Sequence, residues 1–149
     1  MSGRSARAPI DGIKHVIKID DWKFDYFFGV NPQKVVHDLP YWESYCIEVL
    51  GQITKPKLKA LVGKIRISAT DGLVARELKS TGKSHPIGNI SYRAADYSAM
   101  LFMPSDTFAF VLQAFTANKY RWISMNGRKT GNGQVMVDHF HLSASMSDD

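Results

Sequence analysis

The chain has 149 residues, 44% of them hydrophobic, with three Trp, eight Phe and six Tyr, enough for one substantial core and too apolar for wholesale disorder. Its single cysteine, Cys46, excludes an intramolecular disulfide framework and a cysteine-based metal cluster, and no run of about eighteen apolar residues reads as a membrane span. The formal charge is +5 and unevenly spread: residues 55 to 93 hold nine Lys or Arg against two acids, whereas residues 1 to 54 hold six against seven.

A basic middle of this kind attracts phosphates or an acidic partner, or forms a solvated face. The N-terminus, MSGRSARAPI, is small, basic and polar, without the apolar stretch of a secretory leader, so the expectation is a soluble cytoplasmic protein. Residues 1–12 read as a flexible tail, residues 13–143 as a single β-rich domain, and residues 144–149 as a flexible tail ending in Asp148 and Asp149.

In chain order, IKHVIKI alternates as a half-buried strand should, with Ile13, His15, Ile17 and Ile19 on one face. Asp20 and Asp21 read as a turn. WKFDYFF then forms a second strand whose Trp22, Phe24, Tyr26 and Phe28 share a face that reads most economically as core. Residues 29–40, broken by Gly29, Asn31-Pro32 and Pro40, read as a crossing loop holding His37 and Asp38.

YWESYCIEVLGQI resumes strand character, and Cys46 within it is expected to pack as a small apolar residue. Glu48, two positions on, would raise the thiol pKa rather than lower it, which argues against a nucleophilic Cys46. TKPKLK is a basic turn carrying Lys55, Lys57 and Lys59. ALVGKIRISA is the next strand, with Leu61, Ile65 and Ile67 inward and Lys64 and Arg66 outward.

The connection from Thr70 to Pro86 contains Thr81-Gly82-Lys83-Ser84, the tail of a phosphate-binding P-loop pattern. Glu77 stands where the first glycine belongs, and Pro86 follows where a helix should begin, so the motif fails. Residues 87–93 and 98–103 are two more strands.

MPSDTFAFVLQAFTANK predicts an amphipathic helix over about 105–118. Phe108, Val111, Leu112 and Phe115 line one face, and Asn118 stands where it should stop. YRWISM and QVMVDHFHLS then flank NGRKTGNG as the arms of a hairpin. In the last strand Val135 and Val137 share parity with His139 and His141, while Phe140 and Leu142 take the other. The apolar face therefore switches near Asp138, which predicts a bulge or bend.

These elements predict a mainly β fold: an antiparallel sandwich or flattened barrel of about seven or eight strands, with one helix before a C-terminal hairpin. No catalytic motif emerges and no cofactor is implied, so an enzyme is the weaker expectation. The favoured reading is a non-catalytic binding or assembly module, partnered by another protein or by itself. It would engage through the basic loops: Lys55, Lys57, Lys59, Lys83, Arg121, Arg128 and Lys129. An alternative is a single-stranded nucleic-acid-binding, OB-like domain, in which the same basic residues track phosphates and aromatic rings stack on bases. A further alternative is a small metal-dependent, cupin-like enzyme with His139 and His141 as ligands, since an H-x-H pair on a strand presents both rings on one face.

Overall fold

The computed structural model describes residues 12–30, 41–70 and 86–146. The N-terminal tail, the His37-Asp38 pair, the Thr81–Ser84 motif with Lys83, and the last three residues lie outside the described residues. Within them run β1 (Gly12–Val30), β2 (Tyr41–Lys55), β3 (Val62–Thr70), β4 (Gly88–Arg93), β5 (Asp96–Pro104), α1 (Ser105–Thr116), β6 (Trp122–Gly131) and β7 (Gln134–Ser143). None of the described helical structure is long and apolar enough to cross a membrane.

The seven strands close into a barrel in the order β1-β2-β3-β5-β4-β7-β6, with β6 pairing back onto β1. The predicted β architecture is therefore a barrel, but it is not wholly antiparallel, because β3 and β5 run parallel. The cause is the insertion of β4 between β5 and β7. β4 starts at the end where β3 finishes and runs back; β5 turns again and so lies along β3 in the same direction.

Two ends follow from this topology. At the helix end, α1 bridges β5 to β6. At the loop end lie the β2–β3 connection, the β4–β5 turn and the β6–β7 hairpin turn.

Period-2 alternation fills the barrel. Ile17, Ile47, Val49, Ile65, Ile67, Ile90, Leu101, Ile123, Met125, Val135 and Val137 point inward and are fully buried. Cys46 is buried as well, on the other face of β2, and burial pushes its thiol pKa up. Leu61, predicted to face inward, instead precedes β3 and is exposed, because inward packing starts at Gly63.

The bulge in β7 falls where the parity switch predicts it. Asn126 pairs with His139 and Gly127 with Val137, leaving Asp138 as the extra residue, after which Phe140 and Leu142 turn to the core. Asp20-Asp21 is not a turn. β1 runs on through these residues with an irregularity between Ile19 and Asp21, where the Trp22 N–H is bonded to Asp21 Oδ1 at 2.8 Å. Adjacent carboxylates fit such a bulge because one of the two can turn back to the backbone while the strand bends.

α1 plugs the helix end. It begins after Pro104, whose φ of −60° suits a helix entry, and ends before Asn118 at φ 54°. Phe108 and Phe115 are buried, and Val111 and Leu112 pack against the same core. Burying one such side chain is worth about 1.5–3 kcal/mol.

The aromatic face of β1 corrects the sequence expectation. From Asp20 onward β1 has left β6, and Tyr41 to Tyr45 of β2 precede its pairing with β3, so the two strands project as a ribbon past the barrel. Trp22 packs on Phe115 and Phe24 touches Phe108. Tyr26 and Phe28, 54% and 62% exposed, lie beyond the reach of α1. The twelve-residue helix covers Trp22, reaches only the edge of Phe24, and leaves Tyr26 and Phe28 bare.

Candidate functional site

The loop end gathers the basic residues. Along the β2–β3 connection Leu58 packs against the core and Ala60 is buried, so the alternate positions Lys57 and Lys59 are turned out to solvent. The Ile53 N–H bonds to the Leu61 carbonyl at 2.9 Å and closes that connection. Lys55 ends β2 and Arg93 ends β4, both exposed.

Arg128 and Lys129 stand on the β6 arm of the hairpin, whose turn is tied to β4 by the Tyr92 N–H on the Gly133 carbonyl at 2.9 Å. Gly133 has φ +70°, and a Cβ there would run into the Tyr92 carbonyl, so the turn requires glycine. Between the three connections lies a cleft lined by Leu58, Lys59, Tyr92, Arg93, Asn132 and Gln134.

Five of the seven predicted basic residues, Lys55, Lys57, Lys59, Arg128 and Lys129, thus meet at one end. Arg93 joins them, which sequence reasoning missed: its neighbours in space come from turns remote in the chain. Arg128 is 3.6 Å from Asp138, whereas Lys55, Lys57, Lys59, Arg93 and Lys129 have no ion-pair partner among the described residues. Arg121 is not part of this group. It precedes β6 at the helix end, where its N–H bonds to the Ser143 carbonyl. Lys83 lies outside the described residues.

On the outer wall, where β1, β6 and β7 adjoin the end of β2, there is a small pocket. Lys14, Lys55, Trp122, His141 and Met146 line it. His139 and His141 lie on this outer face, as their parity after the Asp138 bulge requires. Asn126 Nδ2 donates to His139 Nε2 at 2.6 Å, which already occupies one ring nitrogen of the predicted metal pair. Among the described residues, no group of three or more His, Cys, Asp or Glu is gathered as a metal site would need.

Under the loop end, inside the barrel, sits a polar cluster. His15 is fully buried, its Nδ1 hydrogen-bonded to Tyr97 Oη at 2.9 Å, with Tyr92 stacked on Tyr97. Room for the Tyr97 ring comes from Gly63, where a Cβ would stand 2.6 Å from it. His15 Nε2 has no hydrogen-bond partner. Burial pushes the His15 pKa down to about 4, so the ring is neutral at physiological pH, and burial together with the nearby Tyr92 raises that of Tyr97. The parity of His15 in IKHVIKI carries this signal, since it shares a face with Ile17.

A second charged group decorates the opposite wall. Glu48 is 3.3 Å from Lys64 and 3.7 Å from Arg66. Burial opposes its ionisation, but the hydrogen bond from Lys64 and the charges of Lys23, Lys64 and Arg66 outweigh it and hold the carboxyl below its ordinary pKa. Lys64 and Arg66 thereby share one carboxylate, whereas the cluster of basic residues at the loop end holds only the Arg128–Asp138 pair among the described residues.

Comparison with protein-family models, with curated proteins and with solved structures returns no match.

Proposed function

We propose that this chain is a non-catalytic binding module that engages an acidic partner through the loop end of its barrel. The observation that carries the reading is the convergence of Lys55, Lys57, Lys59, Arg93 and Lys129 from three separate connections, without ion-pair partners among the described residues. Like charges held together on a rigid scaffold repel one another, and an anionic partner relieves that repulsion. The connections are fixed by Leu58, Ala60 and the Tyr92–Gly133 bond, so a partner meets a preformed charge pattern.

Within this reading, single-stranded nucleic acid is favoured among acidic partners by one further observation. Trp122, on the outer wall, lines a small pocket together with Lys14 and Lys55, which sets one aromatic ring near two lysines, the pairing that single-strand binders use to stack bases while tracking phosphates. The test is fluorescence anisotropy with labelled single-stranded DNA, single-stranded RNA and a sulfated polysaccharide. Binding of all three supports a general polyanion site, and preference for the nucleic acids supports the narrower reading. The triple variant Lys57→Glu, Lys59→Glu, Arg93→Glu is expected to abolish binding, while Lys119→Glu at the helix end leaves it unchanged. Absence of binding to every probe at low salt would overturn the proposal.

A further inference from the structure

Among the described residues, the projecting ribbon of β1 and β2 gathers a run of exposed large hydrophobic side chains. Phe24, Tyr26, Phe27, Phe28, Val30 and Tyr41 are 41% to 64% exposed, and no described strand pairs with β1 between Asp20 and Val30 on the edge away from β2. An open strand edge is a row of unmet backbone donors and acceptors, and an apolar one is a template for another strand. The ribbon is also braced without a partner. Tyr26 Oη donates to Glu43 Oε2 at 2.7 Å, which raises the tyrosine's pKa, and Phe28 stacks on Tyr41 with 5.6 Å between ring centroids.

We propose that this edge pairs with the same edge of a second copy of the chain, β1 against β1, antiparallel about a two-fold axis at Phe24. Charge selects this occupant and this register. Lys23 and Asp25 flank Phe24 on the same face of the strand, 3.8 Å apart in one copy and both partly open to solvent. In an antiparallel pair centred on Phe24, the residue before the axis faces the residue after it. Lys23 of each copy then stands directly across from Asp25 of the other, twice by symmetry.

On the other face the same register sets Phe24 against its own copy and Trp22 against Tyr26, twice again. These are cross-strand aromatic pairs of the kind that stabilise sheets. The strand is thus self-complementary in charge on one face and in aromatic pairing on the other, which a second copy satisfies at once. The interface lies at the helix end, away from the basic loops, and stands whether or not the loop end binds polyanions.

The test is the solution mass of the full chain by size-exclusion chromatography with light scattering at micromolar concentration. The expected mass is twice 16.7 kDa. Lys23→Asp leaves two acids on the face and Asp25→Lys leaves two bases, so each variant alone opposes like charges and is expected to dimerise at least about tenfold more weakly. Mixed one to one, the two variants place opposite charges across the axis, and a heterodimer is expected. Exchange of charge within one copy cannot produce that result, and circular dichroism establishes that each variant folds. A monomeric wild type, a dimer indifferent to either substitution, or a mixture that fails to associate would each overturn the proposal. Capture of a different protein by a monomeric wild type would assign the edge to a heterologous partner instead.

Discussion

His15 shows how one residue couples the barrel interior to pH. The ring is fully buried, bonded through one nitrogen to Tyr97, and its other nitrogen has no partner to share an added proton. Protonation would place a charge in an apolar core, and burial accordingly holds the folded-state pKa near 4 against 6.5 in the unfolded chain. The unfolded state therefore binds the proton first. The stability associated with this group is complete above pH 6.5 and is lost as pH falls from there towards 4, by roughly 3 kcal/mol. Urea denaturation at pH 7 and pH 4.5 should reveal the loss in the wild type. In His15→Gln, whose amide can still meet Tyr97 but does not titrate, the pH dependence across this window should shrink by about that amount. An equal slope in both proteins would show that His15 is not the group responsible.

At the scale of elements, α1 and the strands divide the stability unequally. Phe115 lies between Trp22 and Tyr120, with ring centroids 5.4 and 5.2 Å away, and its truncation would open the helix end of the core. Phe115→Ala is expected to cost about 3–5 kcal/mol, measured by chemical denaturation. Phe110→Ser, on the same helix but 72% exposed, should change stability by no more than about 0.5 kcal/mol. This contrast was legible in the sequence, since Phe108, Val111, Leu112 and Phe115 keep helical spacing and Phe110 does not. The β7 bulge was legible too, because the apolar parity changes across Asp138. Other features were not. Trp22, Phe24, Tyr26 and Phe28 alternate identically whether α1 covers them or leaves them bare, and alternation reports a face without reporting what packs on it. Likewise Asp20-Asp21 has the polarity of a turn and of a bulge alike. The parallel pairing of β3 with β5 depends on where β4 inserts, and no local pattern encodes an insertion. Arg93 joins Lys57 and Lys59 through the parallel pairing of β5 with β3, which places the β4–β5 turn beside the β2–β3 connection.

Across the whole molecule, the barrel keeps two surfaces apart. The basic loops occupy one end, and the aromatic ribbon projects past the other with α1 beneath its base. Substitutions at sites this distant, sharing no partner, are expected to act independently. The loop end can then be characterised by charge counting alone. Each lysine that neutralises a phosphate releases condensed counterions, so the logarithm of affinity falls with the logarithm of salt by about 0.7 per contact on a single strand. Lys57 and Lys59 are held outward by the buried Leu58 and Ala60 on either side, so removing their charges should not disturb the connection. The Lys57→Gln, Lys59→Gln double variant should therefore flatten the salt dependence of single-stranded nucleic-acid binding by about 1.4 in slope. Its melting temperature should stay at the wild-type value. Lys23→Asp, which acts on the ribbon, should leave the slope per bound chain as it is in wild type. A titration series from low to moderate salt on all three proteins decides the matter. If the double variant weakens binding with an unchanged slope, Lys57 and Lys59 do not contact the phosphates, and their role is confined to the long-range field of the loop end.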